Sequence, residues 1–273
     1  MTTKVRHILS LSGGKDSTAL ALYLRDKVPE LEYVFCDTEK ELPETYEYLD
    51  RIEAHLGVRI VRLKHDGRDF DHWLDIYGGY LPSSQMRWCT KHLKIEPFER
   101  HAGNDEVVSY IGIRADEDRV GYISTKPNIH PRYPFKEDGI TKADVYRILD
   151  ESGLGLPAYY RWRSRSGCYF CFFQQRIEWV GLLKEHKDEF ELAMEYEKLS
   201  EDGKRYTWNS GESLEELRQP ERIAEIKAEY QRRLAAARAR TPKNATLIEA
   251  LDRERLLEPV PDLTEWGPCE VCR

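Results

Sequence analysis

The sequence has no apolar run approaching the roughly 20 residues needed to cross a bilayer, which excludes a membrane-spanning helix. It has no secretory pattern either. The first apolar segment runs straight into Ser12-Gly13-Gly14-Lys15-Asp16-Ser17 with no small-residue cleavage site, so a cytoplasmic location is expected. Overall positive charge is also missing: 42 Lys and Arg stand against 49 Asp and Glu, and a net charge of -7 means that any nucleic-acid partner must be held by a local basic patch. There is no internal repeat, and the only biased segment is the short "RRLAAARAR" at 232–240. None of the eight histidines forms an H-x-x-x-H pair, which removes the usual histidine metal motif and leaves no clear histidine catalyst.

What is present suits a soluble α/β protein. A chain of 273 residues that is 40% hydrophobic can bury one large domain, or a core domain with an appendage. Apolar β-type runs at 7–12, 32–37, 58–63 and 107–113 alternate with helical spacing in "DSTALALYLRDKV" and "LPETYEYLDRIEAHLG", the second with a proline in its first turn and Gly57 at its end. That alternation predicts a parallel twisted sheet with helices on both faces and ligands beyond the carboxyl ends of the strands. The second half is helical, with long helices expected at 175–200 and 213–240 and Thr141 placed to cap a helix together with Asp144. We therefore expect a nucleotide-binding domain at 1–155 and a helical region with a cysteine-rich loop and tail at 156–273.

The stretch "ILSLSGGKDSTALALYL" puts a glycine turn between a strand and a helix. Backbone N–H groups and the positive end of the helix dipole then surround one anion, which is a phosphate cradle. It is not the common P-loop, which would need a glycine at Leu9 and a hydroxyl at Asp16. Asp16 instead offers a carboxylate to a magnesium ion, while Lys15, Ser12 and Ser17 can reach phosphate oxygens. A tight turn with a capping serine would explain Gly13 and Gly14 but not the lysine, aspartate and serines together.

"SGGKDS" resembles the SGGxDS signature of the PP-loop ATP pyrophosphatases, which cleave ATP between the α and β phosphates. "FCDTEKELPETYEYL", "RWCTKHLKIEPF", "GIRADEDR", "YPFKEDGITKADVYRIL" and "SGCYFC" narrow the resemblance to the branch of the phosphoadenosine phosphosulfate reductases. It implies an adenine nucleotide α-hydrolase fold (HUP), with Lys15, Asp16 and Ser17 catalytic and Ser12, Gly13 and Gly14 on the phosphates. Asp37 and Thr38 fall on the adenosine side, and Arg114 and Arg119 on phosphate or substrate. The plainer alternative for Arg114 is an ion pair with Asp116 or Glu117.

Four of the six cysteines form two C-x-x-C pairs, Cys168/Cys171 and Cys269/Cys272, which fits metal or redox chemistry in a reducing compartment. In sulfonucleotide reductases with a [4Fe-4S] cluster, a double cysteine stands where this chain has Trp88-Cys89, and a C-x-x-C where it has Cys168 and Cys171. A cluster on Cys89, Cys168 and Cys171 is the expectation, with Cys272 as the fourth ligand and Cys269 or a non-cysteine ligand as the alternatives. The alternatives are structural zinc on the two C-x-x-C pairs, with Cys89 left out, or no metal; Cys36, inside a strand, is expected in the core.

Those reductases end in a Glu-Cys-Gly segment, whereas this chain ends "PCEVCR". "RWCTKHLKIEP" and "SGCYFCFFQQRIEWVGLL" look instead like the group that serves DNA phosphorothioation, of the DndC and SspD type. The implied chemistry is ATP-dependent adenylation of a phosphate oxygen, followed by sulfur from a cysteine desulfurase, inside a DNA modification complex. A sulfonucleotide reductase, a tRNA thiolase and a non-catalytic nucleotide sensor stay open. For the nucleic acid, Arg161, Arg163 and Arg165 interleave with Tyr159, Tyr160 and Trp162 as backbone contacts and stacking platforms. Between 218 and 243 eight basic residues outnumber three glutamates, where a solvated helix with its own ion pairs is the alternative.

Overall fold

The computed structural model describes residues 5–118, 124, 126–197 and 206–239. In chain order these form β1 (Arg6–Leu11), α1 (Lys15–Leu24), β2 (Leu31–Cys36), α2 (Pro43–Leu56), β3 (Ile60–Leu63), α3 (Phe70–Ile76) and α4 (Trp88–Thr90). A π-turn (Lys91–Ile95) leads into α5 (Glu96–Ala102), β4 (Val107–Tyr110), β5 (Ile129–Arg132), α6 (Pro134–Glu137) and α7 (Lys142–Ser152). A 3-10 turn (Ala158–Arg161) precedes α8 (Arg176–Glu185), α9 (Lys187–Glu195), α10 (Leu214–Leu217) and α11 (Pro220–Ala239). Among the described residues no helix is long and apolar enough to cross a membrane.

The chain forms two compact units, and they are interleaved. Among the described residues, the first takes in those up to Phe70, Trp88–Ala158 and Arg165–Gly167; the second takes in Asp71–Arg87, Tyr159–Ser164 and those from Cys168 onward. A single boundary at 155 was expected, but residues 71–87 cross over. Tyr196 donates to Asp71 at 2.7 Å, and the Tyr80 and Tyr206 rings meet at 5.0 Å, so this early segment packs with residues far along the chain.

In the first unit five parallel strands run in the order β3-β2-β1-β4-β5. This is the expected α/β architecture. Its physical basis is visible along β1, where Leu9 and Leu11 enter one core with residues of α1, α2 and α7. Ile8 enters the other, with Phe98 and Ala102 of α5. Alternate residues of a strand face opposite sides, so the consecutive apolar residues Ile8 and Leu9 of β1 need a helix layer on each. Because β2 lies on one side of β1 and β4 on the other, the connections leaving β1 and β4 diverge, and the crevice of such a sheet opens there. β5 escapes the sequence pattern because "IHPR" is short, polar and carries Pro131, which an edge strand tolerates.

Helix ends follow local chemistry. Helix α2 begins with Pro43 and stops at Gly57, which takes a left-handed φ of 65°. Two expected helices are broken. The 175–200 helix divides at His186 (φ -141°, ψ 67°) into α8 and α9, and the 213–240 helix is a four-residue turn, α10, followed by α11, which starts at Pro220.

The Thr141 cap is in place: Asp144 accepts from the Thr141 N–H at 2.9 Å and hydroxyl at 2.7 Å. The backbone hydrogen bond, then the hydroxyl, hold the Asp144 carboxyl below its ordinary range. A depressed carboxylate stabilises the folded state above its unfolded pKa of about 4 and loses that contribution as pH falls through the folded value. Thr141→Ala is therefore expected to cost about 1 kcal/mol at neutral pH. Urea titrations at pH 7 and pH 3 should show the difference between wild type and variant shrinking at the lower pH.

Candidate functional site

The loop at the end of β1 is shaped by close approaches. Gly13 has a φ of 67°, and a Cβ there would lie 2.7 Å from Thr45 Cγ2, so both conformation and space demand glycine. A Cβ on Gly14 would lie 2.6 Å from Ser166 Oγ, and one on Gly112 only 3.0 Å from the Asp16 carbonyl oxygen. Gly112, just past β4, thus lets the backbone after that strand close against the first turn of α1. The sequence marked neither Gly112 nor Ser166; both sit in quoted motifs, but neither residue type signals a contact by itself.

Gly14 is the N-cap of α1 and offers no side-chain acceptor to the N–H groups of the first turn. The loop is braced from outside those groups. Ser17 and Thr18 hydroxyls donate to the Gly14 carbonyl at 3.2 and 2.8 Å, and the Ser12 N–H donates to Ser17 Oγ at 3.1 Å. Ser12 Oγ also lies 3.1 Å from both Ser17 Oγ and Ser166 Oγ. The result is a helix N-terminus without a side-chain cap, the kind that can take an anion, with three hydroxyls at its rim.

Lys15 opens α1 with its side chain almost wholly buried, and its Nζ lies 3.6 Å from Asp16 Oδ2. Arg114 donates through Nη1 to Asp16 Oδ1 at 2.6 Å, and it also pairs with Asp116 at 3.0 Å and Glu117 at 2.7 Å. The plainer account of Arg114 therefore holds, but one of its carboxylates belongs to the phosphate loop. Burial works against the charge of Arg114; attraction to Asp16, their hydrogen bond, and the charges of Glu117 and Asp116 outweigh it and raise its pKa. Arg119 lies outside the described residues. Asp16 would hold a magnesium ion through a carboxylate that Arg114 and Lys15 now share.

At the carboxyl end of β2, Asp37 and Thr38 are buried. Asp37 Oδ1 accepts from the Glu39 N–H at 2.9 Å and the Tyr46 hydroxyl at 2.8 Å, and Thr38 donates to Glu41 at 3.0 Å. Both residues organise the turn through hydrogen bonds.

The cysteines divide between the units: Cys89 belongs to the first, Cys168 and Cys171 to the second, and Cys269 and Cys272 fall outside the described residues. The Cys171 N–H donates to the Cys168 carbonyl at 3.0 Å, so the two thiols leave one turn, the arrangement from which a C-x-x-C donates to a metal. Among the described residues no group of three or more His, Cys, Asp or Glu is gathered to hold a metal ion. Cys36 donates to the Lys94 carbonyl at 3.3 Å, and burial pushes its thiol up to about 11, as suits a core cysteine.

The expected nucleic-acid segment needs correction. Tyr159, Tyr160 and Trp162 are buried, and Arg163 is only 1% exposed, donating to the Cys168 carbonyl at 2.7 Å. Trp162 packs on α8 so closely that a Cβ on Gly181 would lie 2.7 Å from its ring. These aromatics form core and Arg163 holds up the cysteine turn, so neither is available for stacking or phosphate contact. Arg161 and Arg165 are exposed, Arg161 lying 3.7 Å from Glu185. In the later basic stretch Arg218 pairs with Glu215 at 3.0 Å, and Arg222 with Glu212 and, at 2.8 Å, with Glu225. Of these pairs Arg222–Glu225 lies within α11, while Arg240 and Lys243 fall outside the described residues.

Residues 6–133 match the phosphoadenosine phosphosulfate reductase domain. An uncharacterized protein of Methanocaldococcus jannaschii is 30% identical over 177 residues, 60% of this chain and 35% of that protein. The adenosine 5'-phosphosulfate reductase of Staphylococcus haemolyticus is 27% identical over 111 residues, covering 40% of this chain and 45% of the reductase. A crystal structure of phosphoadenylyl-sulfate reductase from Candida auris, in complex with phosphate, has a TM-score of 0.48 at 17% identity, covering 61% of this chain and 82% of that one. Over residues 6–133 the chain is thus similar to the phosphoadenosine phosphosulfate reductase domain, and it spans about a third of the length of the archaeal relative.

Proposed function

We propose that this chain is an ATP pyrophosphatase that adenylates a nucleic-acid oxygen for sulfur insertion, with DNA phosphorothioation as its setting. The observation that carries the reading is the loop after β1: a buried lysine at the first residue of α1, an N-cap without a side-chain acceptor, and a ring of hydroxyls at the sheet's crevice. A non-bridging phosphate oxygen is a very poor leaving group. Attack of that oxygen on the α-phosphorus of ATP forms one P–O bond and breaks the α–β bridge, and pyrophosphate departs with the electron pair. A sulfur nucleophile supplied by a partner cysteine desulfurase then attacks the activated phosphorus and expels AMP, within a complex that includes the other modification subunits.

In this scheme Lys15 and the N–H groups of α1 hold the departing pyrophosphate charge. A magnesium ion on Asp16, when bound, would neutralise part of that charge. Ser17 and Ser12 would orient phosphate oxygens, and Asp37 and Thr38 would shape the adenosine side. Arg161 and Arg165 are the remaining basic candidates for DNA contact. An iron–sulfur cluster, with zinc as the alternative, would draw on Cys168 and Cys171, joined by Cys89 and Cys272 in the cluster case.

The similarity to an adenosine 5'-phosphosulfate reductase favours a second reading, reduction of a sulfonucleotide. One experiment separates them. Anaerobically purified protein is given magnesium and α-labelled ATP alone, with DNA and with tRNA, and AMP and pyrophosphate are followed. AMP formation stimulated by DNA is the expected result, and stimulation by tRNA alone would move the acceptor to tRNA. Absence of AMP, together with thioredoxin-dependent sulfite release from a sulfonucleotide, would replace the reading with reduction.

A further inference from the structure

We propose that Ser166 is a phosphate-binding residue, the outer hydroxyl of a three-serine relay that turns from the Gly14 carbonyl toward the pyrophosphate end of a bound nucleotide. The inference rests on the reading of the loop after β1 as a phosphate site and deepens it.

Ser166 lies 154 residues from Ser12 in sequence, yet it belongs to the same compact unit as the loop. It stands where the N-cap of α1 would carry its side chain: a Cβ on Gly14 would lie 2.6 Å from Ser166 Oγ and 3.1 Å from Ser166 Cβ. An N-cap hydroxyl normally accepts a hydrogen bond from the first turn of its helix. Ser166 instead turns its hydroxyl to Ser12 Oγ, 3.1 Å away, and leaves the uncapped helix end to another acceptor.

The hydroxyl hydrogens of the three serines run one way. Ser17 donates to the Gly14 carbonyl at 3.2 Å and accepts the Ser12 N–H at 3.1 Å. Across the 3.1 Å between Ser12 Oγ and Ser17 Oγ, Ser12 is therefore the donor, and it accepts in turn from Ser166. The carbonyl at the inner end is oversupplied. The Thr18 hydroxyl reaches it at 2.8 Å and the Thr18 N–H at 3.1 Å, while a carbonyl oxygen has two lone pairs, so the Ser17 bond is the longest of three and the one that can be released. An anion at the end of α1 gives that hydrogen a stronger use, because hydrogen bonds to charged oxygens exceed those to neutral ones. Ser17 then donates to Ser12, Ser12 to Ser166, and Ser166 to a phosphate oxygen. Each hydroxyl only rotates, no proton is transferred, and each bond in the chain polarises the next. Ser17 is buried whereas Ser12 is exposed and Ser166 half-buried, so the outer end of the relay is the end a ligand can reach.

The test is binding of inorganic pyrophosphate and of ATP to the full chain, in wild type and Ser166→Ala, with urea unfolding of the unliganded proteins alongside. Loss of one hydrogen bond to a charged group should raise the dissociation constant of both ligands at least about tenfold. The urea midpoint should stay in place, because the Ser166–Ser12 hydrogen bond faces solvent. A smaller rise in the dissociation constants, or a midpoint that falls along with the affinity, overturns the inference. Binding is read separately from turnover. Wild type that binds both ligands but forms no AMP from ATP, with the loss in Ser166→Ala intact, leaves the relay standing and removes the pyrophosphatase reading; wild type that binds neither ligand removes both.

Discussion

Lys15→Ala is expected to lower AMP formation from ATP by at least about a hundredfold, the usual loss when one preorganised donor to a developing anion is removed. The size follows from placement. Lys15 is 5% exposed and opens α1, so on the proposed reading its ammonium would act where water is scarce, beside first-turn N–H groups that would face the same phosphates. Its Nζ stays 3.6 Å from Asp16, and Arg114 holds the other Asp16 oxygen at 2.6 Å, so the amine is steered by a neighbour that is itself fixed. Initial rates with α-labelled ATP, alongside circular dichroism to show an intact fold, make the check. A rate within threefold of wild type would mean that Lys15 does not face the phosphates.

Arg163→Ala is expected to destabilise the second unit by about 2–4 kcal/mol, the cost of removing a charged group's hydrogen bond and leaving a cavity where a large buried side chain was. Arg163 is 1% exposed and donates at 2.7 Å to the Cys168 carbonyl, which also accepts from Cys171. Arg161→Ala, with a side chain 71% exposed, should stay within about 0.5 kcal/mol of wild type. Urea unfolding of the two variants gives the comparison. Equal stabilities would show that Arg163 is not a structural residue. Charge reversal at Arg161 and Arg165 alone then tests DNA contact without disturbing the fold. Binding that keeps its strength and salt dependence would remove both from the interface.

The contrast between Arg163 and Lys15 shows where local sequence is legible. "SGGKDS" announces its geometry because strand, glycine turn and helix N-terminus are contiguous, and the hydrogen bonds within the loop run between residues at most five apart. The same holds for the Thr141 cap and the Gly57 stop. "YYRWRSRSG" has the composition of a nucleic-acid contact, yet its aromatics pack as core beside Gly181 of α8. Composition cannot tell an aromatic that meets a base from one that meets a glycine in another helix.

By itself the sequence determined the parallel α/β sheet, the phosphate-type loop at the end of its first strand and the turn that carries Cys168 and Cys171, because each is built from neighbouring residues with one physical solution. Only the tertiary structure decided that Arg114 shares Asp16, that Gly112 and Ser166 close on the loop, and that Arg163 is buried. Arg114 and Gly112 reach the loop because β4 pairs with β1, and the burial of Arg163 depends on packing around the cysteine turn. Such contacts are set by the distance between folded elements, which no local pattern encodes.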